Sequence, residues 1–177
     1  MKILTHTCCA PCANVFVSNL ELKTDFFWYN HNIHPVTEYR ARRDALMKFA
    51  NEKKMNLINR NEYGLREFVK AAITNLEKRC TPCYKTRLNI TAQTAKKEDY
   101  NAFSTTLLAS PYQNFDLICA LGKEIEAEIG IEFIVRDFRE NFRKGVNQAR
   151  EEGLYIQKYC GCIFSEEDRY IKPRERK

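Results

Sequence analysis

The chain has 177 residues, 44% of them apolar, with only 6 Gly and 5 Pro, which excludes a low-complexity or fibrous polymer and suits one globular domain. A domain of this size buries about 70% of the surface its unfolded chain exposes, so its 8 cysteines are not needed as disulfide staples. The net charge is +6, from 29 Lys and Arg against 23 Asp and Glu. No window approaches about 18 consecutive apolar residues, so no membrane span is expected. Ile3-Leu4 is too short for a secretory core, and the expected compartment is the cytoplasm, where thiols stay reduced.

In chain order, Lys2 to Thr7 reads as a first strand and Asp25 to Tyr29 as a second. Glu38 to Lys54 has helical spacing, with Tyr39, Ala45, Leu46, Phe49 and Ala50 on or near one stripe. Residues 56–60 form a third strand, and Leu65 to Leu76 and Tyr84 to Lys97 are helical. Segment 102–108 is β-rich and ends at Ser110-Pro111. Phe115 to Ile129 is an apolar helix with Gly130 as its C-cap. Residues 131–137 make a late strand, and a helix from Asn141 to Glu152 closes at Gly153. This alternation predicts an α/β fold, a mainly parallel sheet flanked by helices. We expect a single α/β domain over 1–177, with the helix-rich segment 60–100 as a small lobe. Ligands of such sheets gather beyond the carboxyl ends of the strands, where the loop at Cys8 falls.

That loop reads "THTCCAPC" and holds Cys8, Cys9 and Cys12. Cys80-Thr-Pro-Cys83 repeats the C-x-P-C form of Cys9-Ala-Pro-Cys12, just before an expected helix. Two such pairs in a reduced compartment point to metal, since each presents two thiolates. The 67 residues between them are too many for a local zinc knuckle, so the fold must bring them together. Four thiolates suit structural zinc or an iron–sulfur cluster. The additional thiol in the first group favours a working site.

Cys160-Gly-Cys162 would close only a small, strained disulfide, the labile or catalytic kind. Two reduced thiols or a second ligand pair are the alternatives. Cys119 lies among apolar residues of a helix and reads as packing. No role falls to His6, His31 or His34, which are more simply structural. Late basic residues, among them Arg136, Arg139, Arg143, Lys144, Arg150, Lys158, Arg169 and the tail 172–177, make either a solvated surface or a face for phosphates. The chain has no Walker loop, dinucleotide fingerprint, H-E-x-x-H or G-x-S-x-G motif, and cysteines stand where a pyrophosphatase would carry its S-G-G-x-D-S loop.

Taken together, "HTCCAPC", "YNHNIHP" with "EYRAR", "RCTPCYKTRL", "FSTTLLASPYQN", "DFRENFRKG" and "LYIQKYCGCIFS" resemble the cobalamin-independent epoxyqueuosine reductases. The blocks run from His6 to Ser165, with His31 as a departure from the family's Pro in "YNPNIHP". The resemblance implies removal of the epoxide oxygen of epoxyqueuosine at the wobble position of tRNA, the last step to queuosine. It implies a fold similar to the pyrophosphatase, adenine nucleotide alpha-hydrolase-like domain. It also implies a [4Fe–4S] cluster on Cys8, Cys9, Cys80 and Cys83, with Cys160 and Cys162 as a redox-active pair. Cys12 is left over; it packs, approaches substrate or, as we expect, contacts an additional iron. Asp137 or Tyr112 is the expected proton source. Arg139, Arg143, Lys144 and Lys158 are the expected phosphate contacts, and Trp28, Tyr29 and Tyr155 candidates for stacking on bases. The partners implied are tRNA and an unidentified electron donor, with no membrane. A zinc-stabilised RNA-binding module and a thiol–disulfide oxidoreductase are the competing readings.

Overall fold

The structure, a computed structural model, describes residues 1–19 and 23–171; the basic tail 172–177 lies outside the described residues. Its centre is a sheet of β1 (Ile3–His6), β2 (Thr24–Trp28), β3 (Leu57–Asn59), β4 (Ala102–Thr105) and β5 (Glu132–Phe133). The strands are parallel throughout, in the order β3-β2-β1-β4-β5. The expected α/β class is therefore the class observed. Around it stand helices α1 (Ala10–Asn19), α2 (Val36–Glu52), α3 (Leu65–Ala72), α4 (Cys80–Lys97), α5 (Phe115–Ile129), α6 (Phe142–Glu151) and α7 (Ile163–Tyr170), with short 3-10 turns at Thr106–Ala109 and Arg139–Asn141. None of them is long and apolar enough to cross a membrane.

Parallel strands are covered on both faces, which explains why "ILTH" and "TDFFW" are buried end to end. Along β2 the side chains alternate. Phe26 and Trp28 join Tyr39, Leu46 and Phe49 of α2 on one face, while Phe27 and Tyr29 meet Leu88, Ala92 and Phe103 on the other. Buried polar groups in the strands are satisfied. Thr5 Oγ1 lies 2.7 Å from Thr24 Oγ1, and His6 bonds Thr105 Oγ1 at 3.0 Å and the Tyr29 carbonyl at 3.2 Å.

The chain leaves β1 towards β2 and β3, then returns to β4 and β5 on the other side. The winding thus reverses between β1 and β4, and the crevice beyond their carboxyl ends is the place where such sheets bind ligands.

Several elements differ from expectation. Helices α1 and α7 were not foreseen. The late strand shrinks from 131–137 to Glu132–Phe133, and α3 stops at Ala72. Cys80 to Cys83 form the first turn of α4 rather than preceding it. The expected end of α5 holds: Gly130 sits at φ 74°, and its N–H donates to the Glu126 carbonyl at 2.9 Å. Helix α4 packs against β1 and β4, and α3 packs on α4.

Candidate metal centre

The three cysteines of the first loop converge. Cys8, Cys9 and Cys12 are buried, and their Sγ atoms all lie within 4.8 Å of one another. Local structure explains this. The Cys9 carbonyl accepts the N–H of Ala13 at 3.1 Å, the first bond of α1, so Cys8 and Cys9 enter the helix and Cys12 lies in its first turn. Pro11 is tolerated there because first-turn N–H groups have no helical partner. The free N–H groups and the helix dipole favour anionic sulfur at this end.

Two further helices begin on cysteines. Cys80 and Cys83 occupy the first turn of α4. Cys162 caps α7, its Sγ accepting the N–H of Ser165 at 3.4 Å. Cys83 and Cys162 share a small apolar cluster with Phe68 and Ala72 of α3. Cys80 and Cys160 are exposed, and Cys160 Sγ accepts from Gln113 Nε2 at 3.4 Å. The same Gln113 accepts from Tyr84, the residue after Cys83, at 2.8 Å. Gln113 therefore ties the 160 loop to the start of α4. Gln157 Nε2 donates to Cys9 Sγ at 3.0 Å, tying the segment before that loop to α1. Cys8 Sγ lies 3.9 Å from Thr106 Oγ1, just past β4, which sets the thiols at the switch point of the sheet.

The electrostatics suit a cation. Hydrogen bonds with Cys12 and Cys9 hold the Cys8 thiol well below its usual range. The reciprocal contacts push Cys12 well up, and burial pushes Cys9 up. Binding a cation to these sulfurs releases the protons that the thiols hold. Burial raises Cys83 to about 12. Two guanidiniums are buried beside these groups, Arg42 and Arg87, each 1% exposed. Arg42 donates to the carbonyls of Cys160 and Tyr159, both at 2.9 Å, and to Glu38 at 2.6 Å. Arg87 donates to Cys83 Sγ at 3.1 Å.

The loop between Cys160 and Cys162 is built to one shape. Gly161 has φ 139°, open to glycine alone among ordinary residues. A Cβ there would stand 3.2 Å from Ile33 Cγ1 and 3.3 Å from Arg42 Nη1. The Gly161 carbonyl accepts the His34 N–H at 2.7 Å.

The other expected site residues have the following surroundings. The Asp137 carboxylate is engaged by Arg139 at 2.6 Å, and that pairing holds its pKa low; it is not among the clustered thiols. Tyr155 donates to Glu38, in the Arg42 network. Trp28 is a core residue, donating to the Tyr39 hydroxyl at 3.0 Å, and Tyr29 is buried too. Arg139, Arg143, Lys144 and Lys158 are exposed. Phe142, between the first three, packs edge-on to the ring of the 82% exposed Tyr112. Cys119 is half-buried against the core. Arg42, Arg87, Gln113 and Gln157 were not found by sequence reasoning. The one signal was spacing: Arg87 lies four residues after Cys83, on the same face of α4.

Comparison with known proteins places the chain in a family. The family model described as Epoxyqueuosine reductase QueH matches residues 3–168. A relative of that name from Thermotoga maritima is 39% identical over 98% of this chain and 94% of its own length. One from Dehalococcoides mccartyi is 34% identical over 97% and 96%, and one from Staphylococcus epidermidis 31% over 93% and 76%. With Cys8, Cys9 and Cys12 gathered at the switch point and these matches spanning nearly its whole length, the chain belongs to the epoxyqueuosine reductase QueH family.

Proposed function

We propose that this protein is an oxidoreductase that removes the epoxide oxygen of epoxyqueuosine at the wobble position of tRNA, giving the cyclopentene of queuosine and water. The observation that carries the reading is the buried thiol triad at the β1/β4 switch point, in a chain whose relatives bear the reductase name. Deoxygenating an epoxide to an alkene takes two electrons and two protons. A dithiol at Cys160 and Cys162 supplies both when it closes to a disulfide, and an external donor then reduces it. The Arg42 and His34 contacts hold the backbone of that loop in place.

A thiolate-rich pocket suits thiophilic metal ions, and the buried guanidiniums beside it offset the negative charge that the thiolates bring to the complex. Cys8, Cys9, Cys80 and Cys83 would hold a [4Fe–4S] cluster, and Cys12 an additional iron. When bound, such a group supplies one-electron transfer and a Lewis-acidic iron. The exposed segment 139–144 and Lys158 offer cations to the tRNA backbone, and Tyr112 stands over the same surface as a proton source or stacking platform. Asp137, paired with Arg139, shapes that surface.

Anaerobic metal and sulfide analysis, alongside conversion of epoxyqueuosine to queuosine in tRNA, tests the reading. About four irons and four labile sulfides per cluster are expected. Cys83→Ala should lose both iron and conversion. Stoichiometric zinc without labile sulfide would overturn the cofactor assignment, and fully loaded protein that leaves epoxyqueuosine unchanged would overturn the activity.

A further inference from the structure

The two buried guanidiniums differ in one respect. Arg42 has a carboxylate partner, Glu38, at 2.6 Å. Arg87 has none within ion-pair distance among the described residues. Its Nη2 donates to Cys83 Sγ at 3.1 Å and its Nε to the Cys83 carbonyl at 3.2 Å. A permanently charged side chain in a dry interior requires a counter-charge, since an isolated buried ion is strongly unfavourable. Both of these side-chain hydrogen bonds run to Cys83, one of the two thiols that open α4. Tyr84 also offers its ring, 5.6 Å from the guanidinium carbon, as a weakly negative face. The nearest group able to carry that counter-charge is the Cys83 sulfur, 3.1 Å away, once a bound metal holds it as thiolate.

We propose that Arg87 is the fixed counter-cation of the thiolate-held cofactor and that its N–H···S contact with Cys83 sets that cofactor's reduction potential. The inference rests on the iron–sulfur assignment above. Reduction adds one negative charge to the cluster. A fixed positive charge and a hydrogen bond to a ligating sulfur both favour that state, so both raise the potential. Arg87 is a positioning and tuning residue, buried at 1% exposure.

The sign of the effect separates this role from simple packing. A loosened core admits water, and water also favours the more charged, reduced state, so mere loosening raises the potential. Removing a cation lowers it.

The experiment compares wild type, Arg87→Gln and Arg87→Lys, each loaded anaerobically and assayed first for iron and sulfide, then for midpoint potential by spectroelectrochemistry. In Arg87→Gln the ratio of reduced to oxidised centre at fixed applied potential should fall about tenfold, equivalent to about 59 mV for a one-electron centre. Arg87→Lys keeps the charge, loses the planar fork and should fall by less. If Arg87→Gln does not accumulate, the Lys variant carries the test. A loaded variant with an unchanged or raised potential overturns the role of Arg87 and leaves the cluster standing. Wild-type protein with zinc and no sulfide overturns the cluster, and the tuning role with it.

Discussion

Arg42 shows how one side chain can fix a distant loop. All three of its nitrogens are engaged, on Glu38 and on the carbonyls of Tyr159 and Cys160, and Tyr155 donates to the other oxygen of Glu38. Removing one partner of a buried pair leaves the other charge unpaired, which destabilises by roughly 3 to 5 kcal/mol. We expect Arg42→Met to lower unfolding free energy by about that amount, with Glu38→Leu in the same chain restoring much of it. Conversion should stay low in the double variant, because the Cys160 carbonyl has still lost its donor. Denaturant titration with the conversion assay reads both, and full activity in the double variant would sink the idea. The cysteines were legible because thiols are few and their spacing is chemical. Arg42, Arg87, Gln113 and Gln157 were not, because Arg and Gln are ordinary surface residues until the fold buries them against sulfur.

At the scale of elements, most of the cysteines stand at helix beginnings. Cys8, Cys9 and Cys12 open α1, Cys80 and Cys83 open α4, and Cys162 caps α7. The position of α1 therefore matters, and α6 holds it. Asn14 donates to the Gly145 carbonyl at 3.4 Å, and a Cβ on Gly145 would lie 2.2 Å from Val15 Cγ2. On an open helix face, Gly→Ala would stabilise by up to about 1 kcal/mol. Here the overpacking, typically about 1 to 3 kcal/mol, should win, so Gly145→Ala lowers the thermal midpoint. Val15→Ala should relieve it, making the double variant less damaged than the two single effects summed. Strict additivity would show that α1 and α6 are not in register at this contact. Long, periodic helices such as α5 were legible, down to the glycine that ends it. Helix α1 was not, because "APCANVFVSN" is apolar on most sides and begins inside the cysteine motif. Helix α7 was not either, being only 8 residues long, and β5 shrinks because only two residues of its apolar run pair with β4.

At the scale of the whole molecule, the 30s loop, α3 and the 160 loop are held together by neutral histidines. His34 Nε2 meets the His31 carbonyl at 3.1 Å, and its Nδ1 accepts the N–H of Ile163 at 3.3 Å, which requires a neutral ring. His31 stacks on Tyr29, and both histidines pack on Phe68 of α3. Burial lowers His34 to about 4 and, with a smaller push from Arg87, His31 to about 3. In the unfolded chain each titrates near 6.5. Both folded pKa values are depressed, so the unfolded state binds more protons as pH falls below about 6.5. The stabilisation is complete above that pH and is lost progressively down to about 4 for His34 and about 3 for His31. Between pH 7 and 5, where most carboxylates stay ionised, each histidine should remove roughly 2 kcal/mol of unfolding free energy. Urea titrations of the loaded protein across that range should therefore show stability falling with acid. His6 is likewise lowered to about 4 by burial, so His34→Gln, whose amide can still accept from Ile163, should lose about a third of the slope. A slope unchanged by that substitution would assign the acid sensitivity to other groups.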